Sequence, residues 1–227
     1  TNYCCHRSVL VILVDNSREA LGYLAANFYD NPSAELKLVG VTGTNGKTTT
    51  ATMLYRLFKL LGKKVGLIST VENRIQNEVI GATHTTPDPV SLNELLRKMV
   101  DAKCSYCFME VSSHALHQHR VTGIEFAGGV FTNISRDHLD YHTDMADYLQ
   151  AKARILDLLR PGGAVVLNRA DSHLGTLDLQ GHPCVGFDSR PGGRPLGPQD
   201  ITLRSARLGL EGTRLELTHA GQDLVLE

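Results

Sequence analysis

Residues 36–62 read LKLVGVTGTNGKTTTATMLYRLFKLLG: an apolar run, a glycine turn, Gly-Lys-Thr and a helix-forming segment in immediate succession. Phosphate-binding loops have this order, and it admits few architectures. The loop works only where a buried strand delivers it to the first turn of a helix packed on the same sheet. Gly43 and Gly46 let backbone N–H groups turn inward around phosphate oxygens, with Thr44, Asn45 and Thr49 completing the lining. Lys47 would reach the terminal phosphates, and the Thr48 hydroxyl would ligate a magnesium ion. The pattern G-x-x-x-x-G-K-[ST] asks for glycine at position 41, where this chain has Val41. A glycine turn that only caps a helix is the competing reading.

The rest of the chain alternates strands and helices, which implies a doubly wound, mostly parallel α/β sheet around the P-loop. "VLVILV" (9–14) reads as a buried strand. Asp15, Asn16 and Ser17 offer caps to a helix with Leu21, Leu24 and Ala25 at helical spacing, and Asn31-Pro32 ends it. "KVGLIST" is a strand, residues 71–81 form a polar hairpin, and Ser91 with Glu94 make a capping box for "VSLNELLRKMVDA". "YCFMEV", "GGVFTNI" and "GAVVLN" are further strands. Asp144 to Leu159 is amphipathic, with Met145, Tyr148, Leu149, Ile155, Leu156 and Leu159 on one side. After about residue 188 the pattern changes to a loop and three alternating segments, a small antiparallel β extension near the C-terminus.

A formal net charge of −1 with no basic stripe argues against nucleic acid as principal partner. No apolar run approaches the length of a membrane span. Five irregularly spaced cysteines fit no disulfide framework, so a reducing, cytoplasmic location is expected. Cys104 and Cys107 have redox spacing but run into an apolar strand, where packed thiols are the plainer reading.

A magnesium site needs a carboxylate near the loop, and in open α/β sheets ligands gather at the carboxyl ends of strands. Glu110 ends the apolar "YCFM" at such an edge; metal ligation competes there with a capping or salt-bridge role. "SSHALHQHR" (112–120) follows it and is either a polar surface helix or part of the site. In "RDHLDYH", His138 and His142 raise zinc, but no third ligand has suitable spacing. "LNRAD" (167–171) is similar to the guanine-reading N-K-x-D of GTPases. The D-x-x-G that should precede it occurs only afterwards, at Asp178–Gly181, so a GTP switch has the wrong order.

Taken in order, "TGTNGKTTT", "THTTPDP", "MEVSSHALHQHR" and "FTNISRDHLDYH" resemble the Mur ligases of peptidoglycan synthesis, in the branch that adds the third amino acid of the stem peptide. The resemblance implies an ATP- and Mg2+-dependent ligase acting on a UDP-N-acetylmuramoyl-dipeptide and an amino acid, as a monomer, through an acyl phosphate. It implies that Lys47 holds the terminal phosphates, Thr48 and Glu110 bind the first magnesium, and His138 helps bind a second. Lys152 falls where the family carries a lysine carbamylated by carbon dioxide and able to ligate magnesium. From its own surroundings in the sequence, Lys152 is an ordinary solvated helix lysine. Thr85, Thr86, Ser112, Gln118 and Arg120 would contact the muramoyl-dipeptide, with His84 where relatives carry asparagine. Residues 1–37 would be a remnant of a UDP-binding first domain and hinge, and 38–227 an incomplete central domain, with the family's third domain absent. The incoming amino acid would be diaminopimelate or lysine, the former by the look of "THTTPDP". Folylpolyglutamate synthetase shares this architecture and chemistry, and a nucleotide-binding module without turnover is the non-enzymatic alternative.

Overall fold

The computed structural model describes residues 12–82, 84–138, 140–190, 197, 199–209 and 212–227. Strand β1 (Lys37–Thr42) lies between β5 (Tyr106–Glu110) and β6 (Phe126–Phe131), parallel to both. Beyond β5 come β2 (Val65–Ile68), parallel to it, and the antiparallel β3 (Glu72–Ile75) and β4 (Glu78–Gly81). Beyond β6 the parallel run continues through β7 (Leu159–Asn168), β8 (Cys184–Asp188) and β9 (Ile201–Gly209). Antiparallel β10 (Gly212–His219) and β11 (Gln222–Leu226) extend the same sheet. The chain builds one side of β1 before crossing to the other. The carboxyl ends of β1, β5 and β6 therefore meet at the point where the winding reverses, where such sheets place ligands.

Side chains alternate across the central strands, so both faces are buried. Helix α3 (Lys47–Leu60) covers one face, closing Ala51 and Tyr55 over Val41, Val65, Leu67 and Phe108. The larger core lies opposite. There α4 (Pro89–Asp101) brings Leu92, Leu96 and Met99 against Leu38, Ile68, Cys107 and Met109. Helices α1 (Ser17–Phe28) and α2 (Pro32–Glu35) pack on α4, and α5 (Ser113–His117) packs on α6 (Met145–Ala153).

Several expectations are corrected. Residues 9–11 of the expected first strand lie outside the described residues, and 12–14 form no strand and are exposed. In α1 the buried positions are Gly22, Ala25 and Ala26, while Leu21 and Leu24 are exposed. The close seat against the chain after α5 selects small residues: a Cβ on Gly22 would meet Thr122 at 2.7 Å. The cap of α4 is Asp88, which accepts from Val90 N and Ser91 N, while Glu94 pairs with Lys98. The amphipathic run from Asp144 stops being α-helix at Ala153, turns through 3-10 geometry at Leu156–Leu158, and enters β7 at Leu159, four residues before the expected strand. Its apolar residues still join the core. Strand β8 was not anticipated. Cys104, Cys107 and Cys184 are free, and burial pushes the Cys107 thiol up, as expected of a packed cysteine.

Candidate active site

The glycine loop joins β1 to α3. Val41 sits inside β1, fully buried under α3, which is why the position needs no glycine. The left-handed turn falls instead at Gly43 (φ 137°), where any Cβ would collide with the Thr132 hydroxyl, and at Gly46 (φ 84°). Gly46 caps α3 with no side-chain hydrogen bond, so the first-turn N–H groups of Lys47, Thr48 and Thr49 are not claimed by a cap. The segment after β6 grips the loop. Asn133 accepts from Asn45 N (3.0 Å) and donates to Asn45 O (3.0 Å), and Thr132 Oγ1 donates to the same carbonyl (2.7 Å). Thr44 N donates to Asn133 O (2.8 Å), and the buried Thr44 hydroxyl meets Tyr148 OH (3.2 Å) and accepts from Ser135 N (3.0 Å).

Glu110, at the end of β5, is fully buried. Its Oε2 accepts from Thr48 Oγ1 (2.9 Å) and Thr70 Oγ1 (3.2 Å), and its Oε1 from Thr70 N (2.8 Å). A buried carboxylate needs such donors. The set of carboxylate and hydroxyl oxygens is the hard donor chemistry that suits magnesium. Among the described residues no group of three or more His, Cys, Asp or Glu could hold a metal, so His138 and His142 acquire no zinc partners there.

Two ammonium groups converge on one carbonyl. Lys47 Nζ donates to Gly43 O (3.0 Å) and Thr44 O (2.8 Å), and Lys152 Nζ donates to Gly43 O (2.9 Å). Lys152 is 1% exposed, which overturns the reading of a solvated lysine. Burial, and then the charge of Lys47, lower its pKa to about 7. Burial likewise lowers that of Lys47, opposed by Glu110 and Asp137. The Lys152 ammonium also lies 4.4 Å from the Tyr148 ring centroid.

A cleft of about 410 Å³ opens above the loop, lined by Lys47, Thr48, Thr70, His84, Thr85, Thr86, Glu110, Ser112, His114, Arg120 and His138. Thr85 accepts from Thr70 Oγ1 (3.1 Å). The buried Thr86 hydroxyl donates to Glu110 O (3.0 Å) and receives Ser112 N (3.3 Å), so it ties two walls together. Ser112 caps α5. Arg120 donates to Gln118 Oε1 (2.7 and 3.1 Å) and Thr86 O (3.2 Å). These acceptors are neutral, and Arg120 forms no ion pair among the described residues, leaving its charge for an anionic ligand. His138 has a left-handed backbone (φ 54°), and its ring lies 3.5 Å from Asp137. Partial burial, then the nearby imidazoles of His138 and His142, lower the pKa of His114.

Of the expected residues, Lys47, Thr48, Thr85, Thr86, Ser112, Glu110, Arg120 and His138 thus share one cleft. Gln118 orients Arg120 from behind, and Lys152 lies behind the glycine loop and outside the cleft lining. The "SSHALHQHR" segment is no plain surface helix, since Ser113, Ala115 and Leu116 are buried. Thr70, Thr132, Asn133 and Tyr148 were not anticipated. The "FTNIS" that follows a strand was a usable signal for the clamp, and Tyr148 precedes Lys152 by one helical turn. Nothing marked Thr70.

The Mur ligase middle domain model matches residues 41–193. The chain is 58% identical over 170 residues to the UDP-N-acetylmuramoyl-L-alanyl-D-glutamate–2,6-diaminopimelate ligase of Cytophaga hutchinsonii, covering 75% of this chain and 35% of that protein. The chain thus spans about a third of the length of that relative. A solved ligase of the same name superposes with a TM-score of 0.77 at 23% identity, over 92% of this chain and 43% of that one. Folylpolyglutamate synthase of Mycobacterium tuberculosis, complexed with ADP and AMPPCP, gives 0.70 at 18% identity, over 90% and 52%. The two superpositions show a common fold, and the match to the family model over most of its length shows that this chain belongs to the Mur ligase middle-domain family.

Proposed function

We propose that this chain is the nucleotide-binding part of a cytoplasmic, monomeric, ATP-dependent ligase. It would join meso-diaminopimelate to the D-glutamyl side-chain carboxylate of a UDP-N-acetylmuramoyl-dipeptide. The carboxylate oxygen bonds to the terminal phosphorus of ATP as ADP leaves. The amine then attacks the acyl carbon, losing a proton, and inorganic phosphate departs. The observation that carries this reading is the Thr48–Glu110 pair between the uncapped first turn of α3 and the end of β5, with Lys47 beside it and Arg120 across the same cleft.

These groups fit the two polyanions the reaction must bring together. Lys47 and the α3 N-terminus would hold the phosphates. Thr48 and Glu110 would hold one magnesium and His138 would help hold a second; the ions would supply charge neutralisation at the transferred phosphoryl group. Thr85, Ser112 and Arg120 would position the muramoyl-dipeptide, with Thr86 holding Ser112 and Arg120 and Gln118 orienting Arg120. Lys152, buried and easily neutralised, is suited to carbamylation, which would relieve the repulsion from Lys47. Residues 1–37 are read as the hinge side of the preceding domain.

The complete protein carrying Lys47→Ala is expected to make no amide product in a phosphate-release assay with both substrates; near-normal turnover would sink the assignment. Thermal shift separates the folylpolyglutamate reading, because the muramoyl-dipeptide should stabilise the protein and a folate should not.

A further inference from the structure

The "LNRAD" segment, whose spacing raised guanine recognition, has a different job in the fold. Asp171 Oδ2 accepts from Ile134 N at 2.6 Å, while Oδ1 accepts from His173 N (2.9 Å) and Leu174 N (3.2 Å). Asn168 Nδ2 donates to Thr132 O at 2.8 Å, and its Oδ1 accepts from Ala170 N at 2.9 Å. Arg169 turns away toward Cys184 Sγ (3.8 Å) and Asp200 (3.9 Å). Both carboxylate oxygens of Asp171 are thus occupied by backbone N–H groups, and the motif presents no aspartate to a base.

What it holds is the clamp on the glycine loop. Thr132, Asn133 and Ser135 make the contacts to Thr44 and Asn45 described above, and Ile134 is the residue between them. Asn168 fixes the first residue of that clamp and Asp171 the third. The geometry points to Asn168 and Asp171 as positioning residues for nucleotide binding: from the end of β7 they brace segment 132–135, which sets the phosphate loop. An aspartate accepting three N–H bonds makes a strong, charge-assisted anchor, and its loss frees the clamp at the residue that cannot be re-anchored by its own apolar side chain. The effect falls on the loop's preorganisation for phosphate, with the base and the muramoyl-dipeptide untouched.

The inference rests on the reading that the loop binds ATP, and the test keeps the two apart. Calorimetric titration of the complete protein with magnesium-ATP and magnesium-GTP is compared for wild type, Asp171→Ala and Asn168→Ala, alongside KM for each substrate. Failure of the wild type to bind ATP would reject the proposed function itself. Given wild-type binding, Asp171→Ala is expected to raise Kd for ATP by about tenfold or more. The ATP-over-GTP preference should stay fixed, and KM for the muramoyl-dipeptide should stay within roughly twofold. Asp171→Asn keeps the volume and one acceptor, guards against simple misfolding of the alanine variant, and should weaken ATP by an intermediate factor. Unchanged ATP affinity in Asp171→Asn and Asn168→Ala overturns the brace. A shift toward GTP, or an equal rise in KM for ATP and for the muramoyl-dipeptide, overturns it as well.

Discussion

Lys152 shows most sharply how position changes a side chain. In sequence it is one lysine on a helix; in the fold its ammonium shares the Gly43 carbonyl with Lys47 and is almost fully buried. Its pKa is lowered to about 7, so between about pH 7 and its unfolded value of about 10.5 the unfolded chain holds a proton that the folded chain does not. Stability attributable to this residue therefore rises with pH through that window, and the cost of burial is fully present below it. In protein whose Lys152 is the free amine, Lys152→Met should remove that rise and stabilise the fold at neutral pH, by on the order of a few kcal/mol. Urea denaturation of both proteins at pH 7 and pH 10 measures the difference. Glu110 makes the opposite case, a buried carboxylate already matched to donors. Glu110→Ala should sharply raise the magnesium concentration needed for half-maximal activity, and unchanged magnesium dependence would remove Glu110 from the metal site. That Lys47, Thr48 and Glu110 lie at one edge of the sheet was legible, because the motif and the strand end place them there. The burial of Lys152 was not legible, since burial by a loop more than a hundred residues away leaves no local trace.

Helix boundaries were decided by competition between neighbouring signals. Ser91-x-x-Glu94 has capping-box spacing, yet Pro89 disfavours helical geometry at Asp88 and supplies a preset φ at the first helical position. Asp88 then takes the cap; desolvation pushes its carboxyl up, but the hydrogen bonds from Ser91 and Val90 together hold it below its usual range. Asp88→Ala should cost about 1 kcal/mol of stability, and Ser91→Ala clearly less, by thermal or urea unfolding. Helix α6 ends early because the chain must descend into β7, whose pairing with β6 begins at Leu159 opposite Phe126. The apolar spacing from Met145 to Leu159 marked residues that do join the core, though it missed the buried Ala151 and Lys152. It misjudged how far the helix runs, because periodicity reports a face and not a terminus.

The sheet assembles the cleft. Loop, carboxylate and clamp come from the ends of β1, β5 and β6, and the β7 end secures the clamp from outside. A nucleotide seated there would touch segments from both sides of the winding reversal, so binding should stabilise the domain as a unit. At a hundredfold excess over Kd, magnesium-ATP should add about 2.7 kcal/mol. For a domain of this size that is a rise of roughly 5–10 °C in Tm, readable by differential scanning fluorimetry. Chelation with EDTA should abolish most of the shift. A shift of equal size without magnesium would disconnect the Thr48–Glu110 pair from nucleotide binding.

Alternating strands and helices, the left-handed glycine turn and the lysine that follows it were readable directly, because steric limits on φ and the burial periodicity of strands and helices act over a few neighbouring residues. The addition of Thr70 to the Thr48–Glu110 pair, the burial of Lys152, and the use of Asn168 and Asp171 to hold segment 132–135 were not. Each depends on which strand ends lie side by side, and that order is set by long-range pairing across the sheet, whose free energy no local stretch of the chain contains.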